Sequence, residues 1–318
     1  MKKSLKRIIL ILLSMLIAIS FVSCLSVDIE DVDGDTDGDI KDVIPDDSND
    51  NNNDNNDDNN DVENNDQNQE ESVTISEQVC FEYDGLKVTA KEIVDDNIWG
   101  VGIKLNIENN SGKDYTVGVE QVIVNNCMIS EFFSCTVAAG KKANDKIYLS
   151  STDLRDAGID NIGQVEIYFY VSDPTTYLRV YETECVTIRT SHYDKMDTTV
   201  NDAGKVLYEG NGVKIVGKYV DEYTILGKAI VLYLENNSDE NVVISCDDLS
   251  INGYMITEYF SATVYKDKYA LDYILLSTTD LEENDIKEIN DVELKFRIYN
   301  SETYQTIFET DPIKFTTK

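Results

Sequence analysis

Histidine is almost absent from this chain, which has one histidine, His192, among 318 residues. His192 stands between two similar halves, so neither a Ser-His-Asp nor a Cys-His set of catalytic residues can assemble within one half. The sequence contains no C-x-x-C, no H-E-x-x-H and no glycine-rich phosphate loop. No Glu or Asp sits in an apolar run that would raise its pKa, as an acid catalyst needs. We therefore predict no catalytic residue, no bound cofactor and no enzymatic activity.

Basic residues are also scarce, because 27 Lys and Arg face 61 Asp and Glu and the formal net charge is -34. Such an acidic surface repels nucleic acid and anionic membranes, so we expect no nucleic-acid partner and favour a basic or cationic one. Acidity that only keeps a secreted domain soluble explains the same composition. The single tryptophan, Trp99, weakens a carbohydrate-binding interpretation, which usually relies on exposed aromatic platforms.

The sequence contains an internal duplication. A shift of 127 positions aligns residues 79–190 with residues 206–317 without a gap, at roughly 112 pairs and about forty identities. We call these halves repeat 1 and repeat 2. A residue that the fold needs should occur in both repeats, whereas a special site can occur in one.

The first residues resemble a secretory signal. Lys2, Lys3, Lys6 and Arg7 precede an apolar run from Ile8 to Val22, and Phe21-Val22-Ser23-Cys24 resembles a bacterial lipobox. The interpretation is that residues 1–23 are removed and that Cys24 carries the lipid anchor. An uncleaved signal anchor is the alternative, and both leave the rest of the chain outside the cell.

Residues 24–72 are composed mainly of Asp and Asn and bury too little apolar area to fold, so we predict a disordered acidic stalk. Within it, Asp33, Asp35, Asp37 and Asp39 resemble the start of a calcium-binding loop. The twelfth loop position, where a carboxylate should close the shell, is Ile44. Calcium is therefore a candidate ligand, with a solvated acidic linker as the alternative.

Each repeat reads as a series of short β-strands separated by Asn- and Gly-containing turns. In repeat 1 the predicted strands lie at 86–94, 101–107, 115–124, 128–137, 146–149, 165–171 and 177–188. We predict an all-β fold of two tandem immunoglobulin-like antiparallel β-sandwiches, each with one short crossover helix. The predicted boundaries are 73–190 for repeat 1, 191–205 for a connector and 206–318 for repeat 2.

Several duplicated residues have structural interpretations. Asp153 and Asp280 are predicted to cap the crossover helices, with Ile159, Ile162, Ile286 and Ile289 packing them against the sheets. Glu108-Asn109-Asn110-Ser111 and Glu235-Asn236-Asn237-Ser238 are predicted turns in which asparagine tolerates a left-handed backbone. Tyr177 and Tyr304 are predicted to be core residues or to make a corner hydrogen bond, with ligand stacking as the alternative.

Four cysteines occur in repeat 1 and not at the aligned positions of repeat 2. Cys80 and Cys185 are candidates to join the ends of the domain, and Cys127 and Cys135 to bridge neighbouring segments. Three pairings of four cysteines are possible, and reduced buried thiols are the alternative. Cys246 is left over.

The lipobox, the polar stalk and the strand-turn signature Leu-x-Ile/Leu-Glu-Asn-Asn-Ser resemble the secreted immunoglobulin-like lipoproteins of Firmicutes. They are similar in plan to the immunoprotective extracellular antigen superfamily. The resemblance covers about three quarters of the chain and implies a fold, but it carries no catalytic residue to transfer.

We therefore expect a lipid-anchored protein on the outer face of the cytoplasmic membrane of a Gram-positive bacterium. The function expected is that of a non-enzymatic binding or adhesion module, monomeric, which contacts a cell-wall component, an extracellular protein or a cationic partner. The alternative is an accessory or substrate-binding subunit of a cell-envelope transporter or surface enzyme.

Overall fold

A computed structural model describes residues 72–96, 99–224 and 226–317. Repeat 1 contains ten strands, β1 to β10, and one α-helix, α1. These are β1 Gln78–Tyr83, β2 Leu86–Asp96, β3 Gly100–Asn109, β4 Tyr115–Val124, β5 Cys127–Ile129, β6 Ser134–Val137, β7 Lys142–Tyr148, α1 Ser151–Asp156, β8 Gln164–Ser172, β9 Arg179–Glu182 and β10 Val186–Arg189. A 3₁₀ turn at Tyr193–Lys195 lies in the connector.

Repeat 2 has the same order of elements with one additional strand, β16, and most of its bounds fall 127 residues later. Its elements are β11 Lys205–Gly210, β12 Val213–Thr224, β13 Gly227–Asn236, β14 Val242–Ile251, β15 Tyr254–Met255, β16 Glu258–Tyr259, β17 Ser261–Val264, β18 Lys268–Leu276, α2 Thr278–Glu283, β19 Asp291–Asn300, β20 Thr306–Glu309 and β21 Ile313–Thr316.

Each repeat is an immunoglobulin-like antiparallel β-sandwich with one short helix, as the sequence predicts. One sheet of repeat 1 has the order β1-β2-β3-β7, and its partner sheet is built on β10-β8-β4. Burial alternates along the strands as a sandwich requires: in β8, Val165, Ile167, Phe169 and Val171 are buried and the intervening residues are partly exposed. The inward side chains of both sheets form one hydrophobic core in each repeat.

The two repeats are joined through a shared sheet, which the sequence did not predict. The short strand β5 of repeat 1 pairs in parallel with β18 of repeat 2, with Cys127 opposite Tyr269 and Met128 opposite Ala270. The resulting sheet runs β10-β8-β4-β5-β18-β13-β12-β11 across both repeats. The described residues of the two repeats accordingly form one compact unit.

At this junction, some residues of the shared sheet are buried in the core of the other repeat. Ile123 and Met128 of repeat 1 lie in the core of repeat 2, whereas Val216, Tyr233 and Tyr269 of repeat 2 lie in the core of repeat 1. A sheet face that is outside one sandwich therefore continues as the inside of the other. Each repeat completes part of its neighbour's hydrophobic core, so the connection is a packed interface rather than a flexible tether.

One polar contact at the junction is enclosed. Lys268 Nζ lies 2.5 Å from Glu166 Oε2, and each side chain is only 14% exposed. Lys268 Nζ also donates to Asn126 Oδ1 at 3.0 Å, and the Tyr269 N–H donates to the Asn126 carbonyl oxygen at 3.1 Å. These contacts satisfy the buried charges at the point where the repeats meet.

Two predicted long strands are in fact broken. The prediction of one strand over 128–137 is wrong, because β5 ends at Ile129 and β6 begins at Ser134. The break lets Met128 enter the core of repeat 2 while Phe133 packs in the core of repeat 1. The predicted strand 177–188 divides similarly into β9 and β10.

The prediction that Asp153 and Asp280 cap the helices is wrong, because other residues accept the free N–H groups at the helix starts. The helix caps are Ser150 and Ser277, whose side chains accept the N–H groups of Asp153 and Asp280 at 3.3 and 3.2 Å. The carboxylates instead accept backbone N–H groups from another segment, Ser130 for Asp153 and Thr257 for Asp280. Each aspartate thus holds its helix against the segment after β5 or β15.

The helices pack as predicted. Ile162, Ile286 and Ile289 are buried, and Ile159 packs against the core of repeat 1. Leu154 and Leu281 add one buried residue from each helix.

Asn109 and Asn236 occur at equivalent positions because of the hydrogen bonds of their side chains. The prediction that they adopt a left-handed backbone is wrong. Both are fully buried, and neither has a positive φ. The Asn109 side-chain amide donates to the carbonyls of Lys113 and Val137, and its oxygen accepts from Ser111. Asn236 makes the equivalent set of contacts in repeat 2. All polar atoms of this buried amide are therefore satisfied.

The left-handed asparagines occur at the following turn. Asn125 and Asn252 have φ values of 48° and 51°. Asn125 accepts N–H groups from Gly163 and Gln164 and donates to the Asn161 carbonyl oxygen, so it ties the turn before β5 to the start of β8.

Candidate functional site

The joining of the repeats creates a groove, which we call the junction groove. One wall is α1 of repeat 1, with Thr152, Asp153 and Asp156, and the other is formed by β12, β13 and β18 of repeat 2. Its volume is about 570 Å³. Because Cys127 and Met128 lie at its base, the groove exists only where β5 meets β18.

Large apolar side chains are unusually exposed around this groove. Tyr219, Tyr223, Leu226 and Tyr273 all line it, and Tyr223 is 91% exposed. An apolar surface of this kind that is rimmed by polar residues is typical of a binding site. Tyrosine suits such a surface because its ring packs and its hydroxyl hydrogen-bonds.

The groove carries an excess of negative charge. Four carboxylates line it, from Asp153, Asp156, Asp221 and Asp272, against the single ammonium of Lys218. Lys218 Nζ donates to the carbonyl oxygen of Asn201, 2.8 Å away in the connector. Only Asp156 has an ion-pair partner among the described residues, Arg155. The groove thus complements a positively charged ligand.

Asp272 is the most perturbed of these acids. Its pKa is raised to about 6, mainly by burial and to a smaller extent by the nearby carboxylate of Asp153, whereas the N–H of Tyr273 opposes the shift. The Asp272 oxygen accepts that N–H at 2.7 Å. The statement that no Glu or Asp sits in an apolar run is therefore wrong, because Asp272 lies within the run from Tyr269 to Leu276. Burial also raises the pKa of Glu131 to about 7.

Comparison with repeat 1 distinguishes the contact of Asp272 that occurs in both repeats from the enclosure that occurs only in repeat 2. The equivalent residue of repeat 1 is Asp145, which accepts the N–H of Lys146 in the same way. Asp145 lies on β7, an outer strand of its sheet, where no second repeat encloses it. The local backbone contact is common to both repeats, but the enclosed carboxylate in a groove belongs to repeat 2.

A second cavity of about 460 Å³, the inter-repeat cleft, lies between the repeats. Its one cation, Arg179, pairs with two of the three carboxylates that line the cleft, and the third belongs to Glu302. Arg179 pairs with Glu120 and Glu182, and its guanidinium stacks on the Tyr170 ring at 4.2 Å. Tyr168 and Tyr265 meet edge to face with ring centroids 5.0 Å apart. Most of the polar and aromatic groups of the cleft contact one another, whereas three carboxylates of the junction groove have no ion-pair partner among the described residues, so the junction groove is the better candidate site.

The structure brings neither candidate cysteine pair together, and the five described cysteines are free thiols. Cys127 lies opposite Val124 and Cys135 opposite Val117 on β4. Seven residues of strand separate them by roughly 20 Å, far beyond the reach of a disulfide. This register excludes a bridge between Cys127 and Cys135 in this fold.

Cys80 and Cys185 lie on opposite sides of a sheet. Cys80 packs against the core of repeat 1, whereas Cys185 hydrogen-bonds Tyr168, which packs against the core of repeat 2. Burial raises the pKa of Cys80 and of Cys135 to about 11, and that of Cys127 to about 12. At neutral pH these three thiols are protonated and are weak nucleophiles.

The remaining predicted positions lie apart from the groove. His192 Nδ1 lies 2.7 Å from Asn161 Oδ1, so its ring contacts an amide that cannot take part in proton transfer. Tyr177 and Tyr304 are not core residues, because they are 82% and 74% exposed at the tips of the β8–β9 and β19–β20 hairpins. Both adopt left-handed backbones, with φ of 59° and 57°.

The lipidation candidate Cys24 and the calcium candidates Asp33, Asp35, Asp37 and Asp39 lie outside the described residues. Within the described ranges, no group of three or more His, Cys, Asp or Glu side chains is placed to hold a metal ion. No helix in that part of the chain is long and apolar enough to cross a membrane.

Comparisons with known proteins give little beyond the fold. No family model matches the chain, and no curated protein matches it. Among solved structures, the exo-chitosanase CsxA of Amycolatopsis orientalis is 12% identical with a TM-score of 0.22, over 70% of this chain and 26% of that one. A complex of the Salmonella enterica SafA pilin with the SafB chaperone is 12% identical with a TM-score of 0.22, over 74% of this chain and 98% of that one. The chain thus spans about a quarter of the exo-chitosanase, and likenesses this weak carry no inference about function.

Proposed function

We propose that the protein is a non-enzymatic binding module, held outside the cell by its amino-terminal lipid, whose ligand-binding surface is the junction groove. The observation that carries the proposal is the combination of exposed aromatic side chains with carboxylates that have no ion-pair partner among the described residues. Asp153, Asp221 and Asp272 accept backbone N–H groups, from Ser130, Tyr223 and Tyr273 respectively. Their remaining lone pairs are available to a ligand.

The chemistry of the groove favours an amphipathic cation. An ammonium or guanidinium group placed near Asp272 supplies the positive charge that the groove lacks, and a charge-assisted hydrogen bond to it is stronger than a neutral one. The Tyr219, Tyr223 and Tyr273 rings offer apolar contact and faces for cation–π interaction. Lysine and arginine side chains of a basic protein segment have both properties, so we propose an extracellular basic protein as the partner.

Binding is expected to depend on pH. A synthetic peptide of alternating lysine and leucine serves as the probe, and calorimetry at pH 7.5 and pH 5.0 gives its Kd. Because the pKa of Asp272 is raised to about 6, this carboxylate is charged at the higher pH and largely protonated at the lower. We expect affinity to fall about tenfold or more on acidification, with Glu131, whose pKa burial also raises, contributing as it protonates.

A matched pair of variants assigns this effect to the groove. Asp272→Asn should weaken binding about tenfold at pH 7.5 and reduce its pH dependence. Asp145→Asn, the equivalent change on the outer strand of repeat 1, should leave the Kd unchanged. Equal binding of the peptide with acetylated lysines, or equal loss in both variants, would contradict a cation site at Asp272.

The same substitution should stabilise the fold. The carboxyl pKa is higher in the fold than in the unfolded chain, so the associated stability is present below pH 4 and is lost as pH rises through about 6. Asp272→Asn should therefore unfold at a higher temperature than the wild type at pH 7.5, and this difference should shrink below pH 6. A gain in stability with a loss of binding is characteristic of a functional residue.

The anchor is tested separately. Cys24→Ala removes the thiol that the lipobox would modify, so the variant should leave the membrane fraction and enter the soluble or secreted fraction. Detergent phase partitioning of the wild type and the variant measures this. Unchanged partitioning of the variant would contradict lipidation at Cys24 without affecting the groove.

A further inference from the structure

Met128, which joins the two repeats, has an equivalent in repeat 2, Met255. In the described part of the chain, Met255 joins no other repeat. Met128 of β5 is 6% exposed because it enters the core of repeat 2, where its sulfur accepts the Tyr265 N–H at 3.1 Å. The equivalent residue of β15 is Met255, which is 65% exposed. Its neighbour Tyr254 is 51% exposed at the position where Cys127 is buried. Repeat 2 thus presents, uncovered, the surface with which repeat 1 holds its neighbour.

The ionic contact of the junction is duplicated as well. The enclosed pair Glu166–Lys268 corresponds to Glu293 and Lys141, both identical in type to their counterparts. In the described structure these two do not meet each other: Lys141 is exposed, and Glu293 pairs with Lys314 at the surface. Ala270, the partner of Met128 in the strand pairing, is matched by Ala143.

Met255 and Ala143 lie on two outer strands that complement each other, whereas Glu293 lies on β19 of the same sheet as Met255 and Lys141 directly precedes β7. β15 ends the sheet β15-β14-β19-β20, and β7 ends the sheet β1-β2-β3-β7. β15 is equivalent to β5, and β7 is equivalent to β18, which are the two strands paired at the junction. One chain therefore has both strands that a second junction needs, but β15 lies in repeat 2 and β7 lies in repeat 1.

We propose that a second copy of this chain docks here, with β15 of one molecule pairing in parallel with β7 of the next as β5 pairs with β18 within each molecule. Met255 then covers Ala143, and Glu293 meets Lys141 of the neighbouring copy. The contact joins two different surfaces, so it is heterologous and produces open head-to-tail chains unless the rotation closes. It does not involve the junction groove and does not depend on the proposed function.

The contact is weaker than the internal one. Lys142 and Asn144 occupy the positions of Tyr269 and Leu271, and Ser250 occupies that of the buried Ile123. Lysine on an outer strand often discourages pairing, but Lys141 has a matching carboxylate on the docking surface. We therefore expect dilute chains to be monomeric, and association to require the high local concentration of a crowded surface.

Sedimentation velocity of residues 68–318 from micromolar to millimolar concentration tests the proposal. This fragment contains both cores and every contact used here. The weight-average mass should rise with concentration beyond that of two copies. Met255→Asp should weaken association at least tenfold, while Phe132→Asp, a control at another exposed apolar position, should not change it.

A charge exchange makes the test specific. Lys141→Glu and Glu293→Lys should each weaken association, and the double variant should restore it. Thermal unfolding checks that each variant is folded. A chain that stays monomeric up to millimolar concentration would overturn the proposal. So would association that Met255→Asp leaves intact, or a double variant that is no better than the single ones.

Discussion

Replacing Lys268 by methionine is expected to lower the free energy of unfolding by about 3–5 kcal/mol, because it leaves a buried charge unpaired. Glu166 is 14% exposed and lies 2.5 Å from the Lys268 ammonium. Methionine keeps the apolar stem but removes the charge and the hydrogen bond to Asn126. Urea unfolding of the two proteins measures the difference.

Two further variants make this prediction specific. Lys266→Met removes an exposed ion pair with Asp239 and should cost less than about 1 kcal/mol. Glu166→Leu combined with Lys268→Met removes both charges and should recover most of the loss, since an apolar pair of similar volume is tolerated. If Lys268→Met costs no more than Lys266→Met, the repeats do not enclose this pair.

Replacing Asn236 by alanine is expected to cost about 2–4 kcal/mol, since several buried groups lose their partners at once. The Asn236 amide joins the carbonyl oxygens of Glu240 and Val264 to the N–H of Ser238. Alanine leaves those carbonyls unsatisfied and opens space around them. Asn109→Ala should cost a similar amount in repeat 1, because its contacts are the same.

The control for the asparagine prediction is Asn110→Ala. Asn110 is exposed beside Asn109 in the same signature, so its replacement should change stability by less than about 0.5 kcal/mol. A turn that needed only a tolerant backbone would give equal effects at both positions. Chemical unfolding of the three variants distinguishes the two explanations.

The sandwich and its helices were predictable because the relevant signals are local and occur twice. Alternation along 165–171 and the isoleucines after α1 predict buried faces that the structure confirms. The roles of single polar residues were harder to predict from the sequence. Asn109 is in the predicted turn, but its purpose depends on Val137, which lies 28 residues away.

The site itself could not be predicted, because it is made by the contact between repeats. Asp272 and Asp145 occupy equivalent positions in the two repeats, and only the pairing of β5 with β18 encloses one and not the other. One signal was available: Tyr219, Tyr273 and Leu271 replace Glu92, Lys146 and Asn144 of repeat 1. A surface that becomes apolar in one repeat marks the side on which that repeat is covered.

Amide hydrogen exchange at Tyr269 tests the shared sheet most directly. Its N–H donates to the Asn126 carbonyl oxygen across the junction, whereas the equivalent amide of repeat 1, that of Lys142, lies on the outer strand β7. In dilute solution, the Tyr269 amide should exchange as slowly as core amides and the Lys142 amide much faster. Equal, fast exchange at the two positions would contradict a sheet shared by the two repeats, and with it the junction groove.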